Sequence, residues 1–105
     1  MASFDDREKS FENKFKHDEE LRFKVTNRRN KLLGLWAAEL LGKTGDEAEA
    51  YAREVVASDF DKPGEEDVFV KVMNDLQGVA EVDEHKLRKQ METLMQTAKE
   101  QIASE

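Results

Sequence analysis

The sequence predicts an all-α protein: a small four-helix bundle preceded by a mobile, helix-prone N-terminal arm. Three observations predict it. Apolar residues recur at helical spacing in four successive stretches. Short breaks marked by Gly42, Pro63-Gly64 and Gly78 separate those stretches. No internal repeat and no Ser/Gly/Pro-rich linker divides the chain, and no stretch reads as a credible strand. At 105 residues the chain has room for one modest core.

The arm is residues 1–18, and the bundle domain is 19–105. In SFDDREKSFENKF, from Ser3 to Phe15, three rings stand in charged and polar company. Phe4, Phe11 and Phe15 fall within an arc of roughly 40° on a helix, whereas on a strand Phe4 and Phe11 would face opposite ways. Ser3 with Asp6 resembles a capping box, and Asp5 and Asp6 suit the first turn of a helix. Asp5–Lys9 and Glu12–Lys16 place acid before base at i,i+4. Covering three Phe would supply ~6–9 kcal/mol. Ordering each residue costs ~1–2 kcal/mol. The stripe is therefore read as disordered when free and helical when docked, on the rest of this chain or on another protein.

The first bundle helix spans roughly 18–41. Leu21, Val25, Leu32, Leu33, Trp36 and Leu40 share a face, Ala37, Ala38 and Leu41 widen it, and Gly42 stops it. Gly34 inside this helix marks a close helix approach or a tolerated propensity cost. The second helix is expected to start with Thr44 as N-cap and Glu47 as its capping-box partner, and to end near Ser58. Its face is Ala48, Tyr51, Ala52, Val55 and Val56.

The third helix follows Pro63-Gly64, with Glu65, Glu66 and Asp67 crowding its first turn. VFVKVM is β-rich by propensity, but Val68, Phe69, Val72, Met73 and Leu76 fit a helix, and a lone strand would have no partner. Gly78 closes the segment. Asp83 caps the fourth helix, with Val82 and Leu87 spaced as a hydrophobic staple. Leu87, Met91, Leu94, Met95, Ala98 and Ile102 form its seam.

Composition excludes several functions. With no cysteine there is neither a disulfide framework nor thiol chemistry. His17 and His85 stand in charged helical contexts, and no Gly-rich phosphate loop is present, so no catalytic residue and no metal site are expected. Asp59, Asp61 and Gly64 begin like a calcium loop, but Pro63 and Val70 break the pattern. No apolar run is long enough to span a membrane, and no secretory signal opens the chain, so a cytoplasmic protein without direct membrane insertion is expected.

The net charge of −7 is unevenly placed. From Asp59 to Glu84 nine acids face only Lys62 and Lys71. From Arg22 to Lys31 five bases meet no acid. An acidic chain is a poor nucleic-acid binder. Arg29 shares a face with Val25 and Trp36 and needs a partner there. One reading pairs it with the acidic stretch. The other makes Arg22, Arg28 and Arg29 an anion contact, compatible with weak adenine-nucleotide binding in a nucleotide-sensing bundle.

FDDREKSFENKFKHDEELRFK, then RRNKLLGLWAAELLG, then YAREVVASDFDKPGEEDVFVKV, resemble the zeta subunit of bacterial F-type ATP synthases, a family of small ATPase inhibitors known from α-proteobacteria. The resemblance covers nearly the whole chain. Lys16 and Val25-Thr26-Asn27 depart from the pattern, outside its strongest blocks. The resemblance implies a regulatory inhibitor rather than an enzyme. Its arm would insert at an α/β catalytic interface of the soluble α/β/γ head and block ATP hydrolysis, holding the protein at the inner face of the membrane. The residues it implies are Phe4, Asp5, Asp6, Arg7 and Glu8, then Lys14, Phe15, His17 and Asp18; Phe11 joins them through the stripe.

Overall fold

The computed structural model describes residues 19–59, 66–79 and 81–105, and among these every regular element is a helix. They are α1 (Glu19–Leu40), α2 (Asp46–Ala57), α3 (Glu66–Asp75) and α4 (Glu84–Ser104). The all-α, four-helix expectation is met.

α1 ends as its glycine predicts. Gly42 takes φ 77°, the Gly42 N–H donates to the Glu39 carbonyl at 3.1 Å, and the Lys43 N–H reaches back to Ala38 at 2.9 Å. Those paired bonds satisfy the last carbonyls of α1 and turn the chain.

The start of α2 differs from the expectation. Gly45, not Thr44, is the N-cap, with φ 55° and no side-chain cap bond. Thr44 contributes its backbone carbonyl instead, which accepts from the Glu47 N–H at 3.2 Å. The turn needs positive φ, which a glycine adopts freely and a β-branched threonine resists. Asp46, Glu47 and Glu49 in the first turn stabilise the uncapped end through the helix dipole. At the other end the Ser58 hydroxyl donates to the Val55 carbonyl at 2.6 Å.

α3 is helical despite its β-branched run because Val68, Phe69 and Val72 bury one face. Its last residue is Asp75, and a turn through Gly78, at φ 93°, completes the segment. α4 is capped by Asp83 as expected, its carboxylate accepting from the Lys86 N–H at 2.8 Å. Val82 and Leu87 on either side of that cap are both buried.

The core joins Leu33, Ala37 and Ala38 of α1 to Tyr51 and Val55 of α2, Val68, Phe69 and Val72 of α3, and Leu87 and Met91 of α4. α1 is the spine. It packs most extensively on α2 and α4, while α3 touches the others more lightly. α2 lies along the second half of α1, where a Cβ on Gly34 would stand 2.6 Å from the Ala52 Cα. The glycine is therefore a close-approach site. α4 pairs with α1 so that its final turns lie beside Arg28. Polar ties brace the outside. The Tyr51 hydroxyl donates to Asp75 at 2.8 Å, Lys71 pairs with Asp75 at 3.0 Å, and the Arg88 guanidinium lies over the Phe69 ring while pairing with Glu66. No described helix is long and apolar enough to cross a membrane.

Candidate functional site

Phe4, Asp5, Asp6, Arg7, Glu8, Phe11, Lys14, Phe15, His17 and Asp18 lie outside the described residues. The structure describes what they lead into. Among the described residues α1 runs unbroken from Glu19 into the core. Its first half, the root, follows the residues expected to form the arm.

The root carries the acid-free basic stretch, and its three arginines take different situations. Arg22 is exposed. Arg28 reaches across the bundle: Nη1 donates to Gln101 Oε1 at 2.8 Å, and Nη2 pairs with Glu105. Both partners belong to the end of α4, so Arg28 ties the root to the rest of the fold. Arg29 is buried to 1% exposure, and its Nε donates to Asn30 Oδ1 at 2.7 Å. Asn30, itself fully buried, passes a hydrogen bond to Asp59 Oδ2 at 3.3 Å. One link between the Arg29 face and the acidic stretch thus runs through the Asn30 amide.

The three guanidinium groups therefore do not converge on one open anion site. A shallow depression between α1 and α2, lined by Lys31, Glu49, Ala52, Arg53, Val56 and Ala57, measures about 210 Å³. Ligand pockets usually hold ~300–1,000 Å³. Arg22, Arg28 and Arg29 are not among its lining residues. His85 is exposed on α4. Burial, followed by the hydrogen bond to Asp75, raises the Tyr51 phenol above its ordinary range, so that this group stays protonated and structural.

One residue of the root was not singled out by periodicity. Phe23 is 69% exposed, a large ring in water on an otherwise well-packed helix. Its signal was its position about 200° around the helix from Val25, on the side away from the apolar seam. The Arg28 tie carried no local signal, because its partners are 73 and 77 residues away.

Residues 1–101 match the family model described as ATPase inhibitor subunit zeta. No curated protein matches the chain. A protein whose structure was solved by solution NMR is 52% identical, with a TM-score of 0.73; the match covers 80% of this chain and 96% of that one.

Proposed function

Because the chain belongs to the ATPase inhibitor subunit zeta family, we propose that it stops ATP hydrolysis by F-type ATP synthase by inserting residues 1–18 at an α/β catalytic interface of the soluble head. The observation that carries this reading is the reach of the family match. It begins at residue 1 and takes in the Phe4, Phe11 and Phe15 stripe together with the bundle.

The physical sequence is coupled folding and binding. The arm orders as a helix only where a partner covers its three rings, so part of the contact energy goes into ordering it. Once wedged in the interface, the helix prevents the closure that hydrolysis requires. Asp5, Asp6, Arg7 and Glu8 at one end and Lys14, His17 and Asp18 at the other fix its register by charge. The bundle stays outside as a folded anchor, at the cytoplasmic face where the head projects. An adenine-nucleotide contact through Arg22, Arg28 and Arg29 is less favoured, since Arg28 is tied to Gln101 and Glu105 and Arg29 is buried.

The test is ATP hydrolysis by the purified soluble head of the matching synthase. Intact protein is expected to suppress turnover, and a Phe4/Phe11/Phe15→Ala variant to leave it running. Equal suppression by both proteins rejects the stripe as the working surface. No suppression by either rejects the inhibitory reading for this chain.

A further inference from the structure

We propose that Phe23, flanked by Arg22 and Lys24, is a second anchor: the root of α1 docks on an acid-rimmed apolar surface of the synthase head, beside the crevice that takes the arm. The inference rests on the reading of residues 1–18 given above and extends the contact beyond them.

A single exposed apolar residue is ordinary on a protein surface. Three further facts distinguish Phe23. It stands on a helix that Val25, Arg29 and Leu33, all buried, hold in the bundle, so its ring is presented from a rigid rod. Arg22 and Lys24 beside it are exposed, and no acid occurs from Leu21 to Ala38, in a chain whose net charge is −7. An otherwise acidic molecule approaches an acidic partner through such a segment, which steers the encounter and orients it. Finally, Phe23 follows Phe15 by eight residues, which on a continuous helix is about 12 Å along the axis and about 80° around it, within reach of one partner surface. A partner that grips Phe15 extends to Phe23 unless its surface ends there, because specific interfaces bury ~800 Å² on each side. Val70, the other exposed large apolar residue among the described ones, lies on α3 and shares neither the charge setting nor the continuity with the arm.

Aromatic residues and arginine are enriched in protein interfaces. Phe23 is also a clean site to test, since removing an exposed ring leaves the core untouched. The experiment measures binding to the soluble head and inhibition of its ATP hydrolysis, using the full chain, Phe23→Ala, Arg22→Gln/Lys24→Gln, and the Phe4/Phe11/Phe15→Ala variant. Thermal melts of each protein run alongside. Phe23→Ala is expected to melt like the parent and to bind and inhibit about tenfold more weakly. The paired Gln variant is expected to weaken binding and flatten its salt dependence.

Parent-like binding and inhibition by Phe23→Ala overturns the second anchor while leaving the arm reading intact. Binding by the parent without inhibition removes the arm reading, and the binding curve of Phe23→Ala still decides the anchor. Absence of binding by the parent rejects both. If sedimentation shows a parent dimer that Phe23→Ala dissociates, the occupant is a second copy of this chain and the proposal fails.

Discussion

Gly34 of α1 faces the Cα of Ala52 in α2 so closely that a Cβ at position 34 would stand 2.6 Å from it and 3.1 Å from the Ala52 Cβ. The atom in the way is backbone, so relief requires the helices to separate. Gly34→Ala gains up to ~1 kcal/mol in helix propensity. Overpacking of this kind costs ~1–3 kcal/mol, and a backbone clash lies at the upper end. The net expectation is a destabilised bundle, read as a lower midpoint in chemical denaturation. A variant as stable as the parent would show that α1 and α2 are free to slide.

Arg28→Ala removes the tie to Gln101 and Glu105. The side chain is 30% exposed, so the global loss is small, about 0.5–1 kcal/mol. The local effect is the informative one. Amide exchange is expected to rise in the first turns of α1 and the last turn of α4, while the α2 amides keep their protection. A uniform change across the bundle would contradict this assignment.

Tyr51 links stability to alkaline pH. Its phenol is raised above the ordinary value near 10, first by burial and then by the hydrogen bond to Asp75. The folded state holds this proton more tightly than the unfolded chain. The contribution is therefore complete below about pH 10 and is lost as pH climbs through the folded value. Tyr51→Phe is expected to cost about 1 kcal/mol at neutral pH through the lost bond. It should also flatten the decline in stability from about pH 10 upward. Denaturation midpoints of the two proteins across that window check both points; parallel declines would exclude Tyr51 as the source.

Asp83→Ala removes the carboxylate that accepts from the Lys86 N–H. A lost N-cap costs about 1 kcal/mol. Asp83→Ser should recover most of it, because a hydroxyl caps nearly as well. Failure of the serine to recover stability would point to charge rather than capping.

Most of the fold was legible because amphipathic helices announce themselves by period. Gly42 and Asp83 act as their residue types suggest. Val68 and Val72 show packing overriding β-propensity. Thr44 was misread because Thr44–Glu47 has capping-box spacing, whereas positive φ at Gly45 decides where α2 starts. The site was less legible. Arg29 was placed correctly on the seam, yet its bond to Asn30 and the Asn30 link to Asp59 required knowing that α2 ends beside α1. Phe23 escaped because periodicity searches for what is shared on a face, and an unshared ring on the opposite face registers as noise. The Phe4, Phe11 and Phe15 stripe lies outside the described residues.

The contact between Arg28 and Glu105 gives the molecule a ready-made ruler. A dye attached at position 105 sits next to the stem from which the arm departs. With a second dye at position 4, the pair would stand about 36 Å apart along the axis when residues 4–28 form one straight helix. Energy transfer between them would then read docking directly, without an enzymatic assay. If the root of α1 docks as proposed, a bulky group placed at position 105 would crowd that surface and weaken binding.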